Sequence, residues 1–448
     1  MKTLPKILIA SLLAILFGLP GLALAQAPEK ADPKADPKPA PQGEKPRAKR
    51  HPSYSLRGVD EPISPDSVLN PSFVVSTEYK IAQSSIWRSS YIPERLVGLD
   101  VGDVDGDGKN EMVYATRRNV YVSRLDGGTY TVLANFAIPD NTTIIALDVF
   151  DANMDGRKEI FVSAQKPGTA EANSHVLAYN GGKTLEVLGK NINYYLRAVG
   201  EEGKKSLIAQ KPGTSTSESY SGGVFYASFD GGRISTSSKL NLPLGVDIYN
   251  FNMGTLGEER MQLTAFIKFP TEHLNLVDSG GGKVWESHDE YGGSINHIER
   301  LNYGDNNRNL DYLPTRIIIG DIDMDGTNEV IVAKNNLGGT RLFRNLRSFN
   351  SGSIEARKFV NLSLIPFFNS GNMQQGPAVD YQLADFDNNG TKDLVIAIVI
   401  DPGSGMMRDA RSIIFSLNNL YVVNPEDTPP APVATPAAIP HLPPPKKE

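Results

Sequence analysis

Between residues 95 and 424, short apolar runs alternate with acidic or glycine-rich breaks, and the alternation repeats. Four segments share one layout. They are Leu99-Asp-Val-Gly-Asp-Val-Asp-Gly-Asp-Gly108 before Glu111-Met-Val-Tyr-Ala, and Leu147-Asp-Val-Phe-Asp-Ala-Asn-Met-Asp-Gly156 before Glu159-Ile-Phe-Val-Ser. The third is Ile319-Gly-Asp-Ile-Asp-Met-Asp-Gly326 before Glu329-Val-Ile-Val-Ala, and the fourth Ala384-Asp-Phe-Asp-Asn-Asn-Gly390 before Asp393-Leu-Val-Ile-Ala. Each reads as strand, acidic loop, strand, because the apolar runs are rich in β-branched and aromatic residues. Helical periodicity is not sustained over any long window. Apolar runs that end in glycine turns follow downstream, and the turn glycines Gly127, Gly181, Gly231 and Gly281 are spaced by 54, 50 and 50 residues. The phrase Ala164-Gln-Lys-Pro-Gly-Thr169 recurs at 209–214.

A repeat of about 50 residues holding several antiparallel strands has the size of one β-propeller blade. Two more units keep the strands but have lost most of the acidic loop, at 199–207 and 251–261. Six inner strands therefore predict an all-β propeller of six blades over 71–424, with seven as the alternative. The two tryptophans sit in matching phrases, Ile86-Trp-Arg-Ser89 and Val284-Trp-Glu-Ser287. Since the second ends a blade, an N-terminal strand at 73–89 is expected to complete the last one. Closure of this kind leaves no unpaired edge.

The loops carry candidate metal chemistry. Their pattern is Asp-x-Asp/Asn-x-Asp/Asn-Gly-x-x-Asp/Glu, in which side chains at positions one, three, five and nine and the carbonyl at position seven converge. Hard oxygen donors in this number suit calcium, and magnesium less well. The expected ligand sets are Asp103, Asp105, Asp107, Glu111 with the Lys109 carbonyl, and Asp151, Asn153, Asp155, Glu159 with that of Arg157. The others are Asp321, Asp323, Asp325, Glu329 with Thr327, and Asp385, Asp387, Asn389, Asp393 with Thr391. An EF-hand would need a bidentate glutamate at position twelve between helices. Tyr114, Val162, Val332 and Ile396 stand there, each within a strand pattern, so that reading fails. Four filled loops would move the formal charge from −6 to +2. The metal is most simply structural.

The loops and the strands after them resemble the VCBS or FG-GAP repeats of integrin-α-like propellers over most of 95–424. That resemblance implies calcium in the strand-connecting loops and frequent roles in binding ligands or partners. The family also includes hydrolases, lyases and lectins, so the resemblance leaves activity open.

Composition adds the setting. The net charge of −6 argues against nucleic-acid binding, and the absence of cysteine excludes disulfides and thiolate metal sites. Lys2 and Lys6, the apolar run Ile7 to Phe17 and Ala23-Leu-Ala25 read as a Sec-type signal peptide over 1–25, so export to the periplasm, outer envelope or exterior is expected. Residues 26–70 are a Pro/Lys/Ala-rich linker and 425–448 a tail with nine prolines; neither has enough apolar surface to fold. The longest later apolar run, Leu394 to Ile400, is too short to span a bilayer, so no transmembrane segment is expected in the mature chain.

No nucleophile, phosphate-loop or dinucleotide fingerprint is present. His273, His288 and His297 lie near Glu286, Asp289, Glu290 and Glu299, where a polar surface loop accounts for them more simply than a second metal. Two longer intervals suggest binding insertions, one at 288–314 with Tyr291, Tyr303, Asn306, Arg308 and Tyr312, the other at 344–377 with Phe349, Phe367, Phe368 and Asn372. The first expectation is a non-enzymatic binding or scaffold module for a protein partner in the bacterial cell envelope. A carbohydrate-binding propeller is the second, and aromatic platforms on the insertions would favour it. A polysaccharide lyase or hydrolase is the third, favoured by a deep central pocket with converging ionisable groups.

Overall fold

The computed structural model describes residues 81–422 except 170, 302–308, 339–346, 374 and 404–409. The signal peptide, the linker, the proline-rich tail and the start of the predicted closing strand lie outside the described residues, as do Tyr303, Asn306 and Arg308. Among the described residues no helix is long and apolar enough to cross a membrane.

Every blade is a four-stranded antiparallel sheet, and there are six. Blade 1 is β2 (Leu96–Gly102), β3 (Glu111–Thr116), β4 (Asn119–Asp126) and β5 (Thr129–Ala137). Blade 2 is β6 (Thr143–Phe150), β7 (Glu159–Gln165), β8 (Ser174–Ala178) and β9 (Glu186–Ile192). Blade 3 is β10 (Tyr195–Val199), β11 (Ser206–Pro212), β12 (Tyr220–Asp230) and β13 (Arg233–Lys239). Blade 4 is β14 (Phe251–Leu256), β15 (Met261–Lys268), β16 (His273–Asp278) and β17 (Lys283–Glu290). A hairpin of β18 (His297–Glu299) and β19 (Leu310–Tyr312) precedes blade 5, which is β20 (Ile318–Gly320), β21 (Glu329–Leu337), β22 (Phe349–Val360) and β23 (Ser363–Asn369). Blade 6 joins β24 (Ala378–Ala384), β25 (Asp393–Asp401) and β26 (Arg411–Val422) to β1 (Ile81–Arg88).

Strands β2, β3, β7 and β10 are buried along their whole length, because neighbouring blades cover both faces. This explains unbroken apolar runs such as Met112–Ala115 of β3 and Ile160–Val162 of β7 in place of strict alternation. The run at 394–400 is one of them, the middle of β25. Outer strands such as β13 face water and turn polar.

The ring closes as the tryptophan phrases predict. Strand β1 pairs antiparallel with β26 from Ile81 opposite Val422 to Arg88 opposite Phe415. Trp87 packs against Tyr130 of blade 1 and Phe386 of blade 6, with ring centroids 5.2 and 5.0 Å away. Trp285 holds the matching outer position in blade 4.

The two expected insertions differ in kind. Most of the second is blade itself, since Phe349, Phe367 and Phe368 are core residues of β22 and β23. Its extra length comes from strands of nine and twelve residues on either side of the β21–β22 connection. The first is a true insertion, but Tyr291 is buried and its hydroxyl donates to Glu355. Its chain crosses the ring: the Asn296 amide donates to the Val97 carbonyl of blade 1 at 2.7 Å, and Arg300 to the Thr216 carbonyl of blade 3 at 3.1 Å. Val97 lies at the start of an inner strand, so Asn296 sits at the end of the ring opposite the acidic loops. None of these four aromatic side chains forms a surface platform.

Candidate functional site

All four acidic loops join the first and second strands of a blade, at 103–110, 151–158, 321–328 and 385–392, so they share one face of the ring. One hydrogen-bond scheme repeats in each. The position-one carboxylate accepts from the position-six N–H: Asp103 from Gly108 at 2.8 Å, Asp151 from Gly156 at 2.9 Å, Asp321 from Gly326 at 2.8 Å and Asp385 from Gly390 at 2.9 Å. Position five accepts from the position-seven N–H, as in Asp107 from Lys109 and Asn389 from Thr391, both at 2.8 Å. Position nine reaches back to the position-two N–H: Glu111 to Val104, Glu159 to Ala152, Glu329 to Ile322 and Asp393 to Phe386. The position-six glycines have φ between +86° and +91°, where an L side chain is strained. Position four is also left-handed, and there the residues are Gly106, Met154, Met324 and Asn388.

The loops are stitched to one another through position eight. Asn110 donates to the Asp385 carbonyl at 2.8 Å, Lys392 to that of Asp321 at 3.0 Å, and the Lys158 N–H to that of Asp103 at 3.1 Å. The loops of blades 1, 6 and 2 thus each grip position one of the loop in the preceding blade. Whatever orders one loop therefore bears on the next.

In three loops the carboxylates converge, with ligand oxygens within 4.8 Å of one another: Asp103, Asp105 and Glu111; Asp321, Asp323 and Asp325; Asp385, Asp387 and Asp393. The blade 2 loop does not assemble such a trio. There the Asn153 amide donates to Asp155 and Glu159, both at 2.9 Å. No histidine joins a metal-capable group among the described residues; His273 pairs with Glu286 at 3.3 Å.

Side chains from the third strand complete the picture, and loop spacing alone gives no sign of them. Arg124 reaches Asp105 and Asp107 at 2.9 Å and also contacts Glu111. Lys358 lies 3.2 Å from Asp323 and 3.8 Å from Glu329 and contacts Asp325. By strand register the equivalent residues in blades 2 and 6 are Ala178 and Asn418. Two loops thus hold an internal cation and two do not.

Burial raises the position-nine carboxylates. Glu329 is pushed up to about 8 and Asp393 to about 6, while Glu111 and Glu159 are raised in the same direction. Glu329 Oε1 and Asp387 Oδ1 are buried without a hydrogen-bond partner. Acceptors left unmatched beside converging carboxylates fit a hard divalent cation.

A second polar centre sits inside the ring. Arg316, just before β20, donates to both carboxylate oxygens of Asp380 at 2.6 and 2.8 Å and to the carbonyls of Leu99 and Leu147 at 2.9 and 3.0 Å. Asp148 and Asp100 lie 3.4 and 3.6 Å from the same guanidinium. One side chain of blade 5 therefore ties together blades 6, 1 and 2. Burial alone would raise Asp100, but Lys205 and Arg316, with donation from Gln382 and the Val149 N–H, hold it at about 2. Burial dominates at Asp148, where Arg197 and Arg316 only partly offset it, and the carboxyl is pushed up to about 6. A carboxyl raised above its unfolded value of ~3.9 adds stability that is complete below that pH and lost as pH rises through the folded value. Wild type should therefore lose stability between pH about 4 and 6 relative to Asp148→Asn, a difference that paired urea titrations across this range would reveal. Parallel curves for the two proteins would rule out this role for Asp148.

Above this centre, a pocket of about 500 Å³ opens among the inner strands and the loops of blades 2 and 3.

With this geometry in hand, residues 103–162 match the family model of the FG-GAP-like repeat. The blade 1 loop, the blade 2 loop and the strands between them are thus similar to an FG-GAP-like repeat. The match covers the two neighbouring loops whose position-eight contact was described above. No curated protein sequence matches the chain. Among solved structures, the Dos1 propeller is similar at 10% identity and a TM-score of 0.32, over 72% of this chain and 66% of that one, just under two thirds. The PQQ-bound aldose sugar dehydrogenase of Streptomyces coelicolor is similar at 11% identity and a TM-score of 0.36, over 75% of this chain and 98% of that one.

Proposed function

We propose that this chain is an exported, calcium-stabilised propeller that serves as a binding or scaffold module for a protein partner in the bacterial cell envelope. The supporting observation is the repetition, on one face of a closed ring, of an acidic loop with a single hydrogen-bond scheme, three copies of which gather their carboxylates within 4.8 Å. The residues at positions one, three, five and nine would hold the ion. Its charge would neutralise the buried position-nine carboxylate and lock each loop against its neighbour. The export reading rests on residues 1–25.

Arg124 and Lys358 divide the loops into two affinity classes, because each occupies the carboxylates that an ion would need. Arg124→Ala is expected to tighten calcium binding at the blade 1 loop by about tenfold, ~1.4 kcal/mol. The same variant should melt lower than wild type in chelator, where its carboxylates have lost their counter-charge. Calorimetric titration reads the first effect and a thermal melt the second; unchanged affinity would mean that Arg124 does not compete with the ion.

Retention of an envelope protein on the immobilised chain in millimolar calcium, and its release by chelator, tests the scaffold reading. Binding to a glycan array with no protein retained would replace it with the carbohydrate reading. The central pocket brings ionisable groups together, which supports a lyase or hydrolase as the second reading; turnover of a polysaccharide by the purified chain would establish that one instead.

A further inference from the structure

The acidic loops leave the inside of the ring unassigned, and two sets of groups meet there. The walls of the pocket are apolar and buried, formed by Val101, Val149, Val199, Phe251, Ile319 and Leu383. In its polar lining four cations, Lys158, Arg197, Lys205 and Arg316, outnumber two carboxylates, Asp151 and Glu202. Arg316 is neutralised by Asp380 and its neighbours, as described above. Arg197 has a single ion pair, 3.5 Å from Asp148, although its side chain is only about one tenth exposed. Lys158 and Lys205 line the loop end of the pocket, and among the described residues neither side chain makes an ion pair or hydrogen bond. The acidic lining is committed elsewhere: Glu202 pairs with Lys392 at 3.1 Å, and Asp151 accepts from the N–H groups of its own loop. The Asn252 amide donates to the Ile317 carbonyl and its oxygen accepts from Gly200, so it is already satisfied.

Three cations without a full complement of acceptors therefore face a cavity whose walls are aliphatic and aromatic. The exposed Met154 and Glu202 in its lining open the pocket on the face of the acidic loops. A volume of about 500 Å³ falls within the range of small-molecule sites, which are mostly apolar with a few convergent polar groups. An inorganic anion would satisfy the lysines and leave the walls bare, and a neutral apolar molecule would do the reverse. We infer that the central pocket binds a small amphipathic carboxylate, its charge met by Lys158, Lys205 and Arg197 and its apolar body against the inner strands. This inference does not depend on an ion in the acidic loops.

The test uses octanoate as the probe and octanamide as its uncharged counterpart, each titrated calorimetrically into the full chain at fixed calcium. Octanoate is expected to bind at least tenfold more tightly than octanamide. Lys158→Gln is expected to cut that preference severalfold with little change in melting temperature, because its side chain is partly exposed and unpaired. Adding Lys205→Gln is expected to abolish the preference and to lower the melting temperature, since Lys205 also helps hold buried Asp100 ionised. The inference fails if wild type binds the two probes equally or binds neither at millimolar concentration, and it fails if the folded double variant keeps the preference. Should the double variant not fold, the wild-type comparison decides alone. Loss of calcium binding in other experiments would leave this result untouched, so failure here is distinguishable from failure of the metal reading.

Discussion

Arg316→Met should destabilise the propeller by about 3–5 kcal/mol, the usual cost of removing one partner from a buried charge cluster. The guanidinium provides two hydrogen bonds to Asp380 and one each to the Leu99 and Leu147 carbonyls, so its loss strands a buried carboxylate and two carbonyls at once. Methionine fills the space without meeting any of them. Asp100 and Asp148 would also lose a neighbouring positive charge. Against a total stability of ~5–15 kcal/mol the variant should be soluble only at low temperature, or not at all. Arg316→Lys is the informative companion: it keeps the charge but lacks the planar fork that spans Asp380 and two carbonyls, and should fall between wild type and methionine. Urea midpoints for the three proteins would settle this. A loss below about 1 kcal/mol for methionine would mean that the blades do not depend on their central arginine.

Chelation should act on a similar scale from the opposite direction. With calcium near 1 mM and a dissociation constant of ~10⁻⁴ M, each filled loop contributes ~1.4 kcal/mol, so four together approach 6 kcal/mol. The loss should be uneven. Arg124 and Lys358 remain to neutralise the blade 1 and blade 5 loops, whereas Ala178 and Asn418 offer blades 2 and 6 no such charge. Hydrogen exchange in chelator should therefore rise first at 151–158 and 385–392, and the position-eight contacts should pass the disorder to neighbouring loops. A melting temperature indifferent to chelator, with uniform exchange across the loops, would count against this.

Much of the architecture was legible because the repeat carries it. Continuous apolar runs mark strands covered on both sides, and the paired tryptophan phrases mark outer strands, one of which is the closing strand that pairs with β26. The conformation of the acidic loops was legible for a related reason: the pattern sets glycine at Gly108, Gly156, Gly326 and Gly390, where φ is positive. Arg124 and Lys358 were not legible. They come from the third strand, and only cross-strand register sets them opposite Glu111 and Glu329. Asp100 and Asp148 stand in plain view within the repeated Leu-Asp-Val, but their partner Arg316 precedes a different blade and reaches them only once the ring is closed. Phe349, Phe367 and Phe368 were misread as surface because blade 5 lengthens its strands, a change that looks like an insertion when only loop-to-loop spacing is counted.

Uptake of divalent ions by the acidic turns can be counted directly. Equilibrium dialysis of the purified chain against millimolar calcium should retain about four ions per molecule, the number of loops with the full pattern, and charge-removing substitutions at Asp103, Asp151, Asp321 and Asp385 together should abolish retention. A chain that retains no calcium, or that retains as much after those four substitutions as before them, would contradict it.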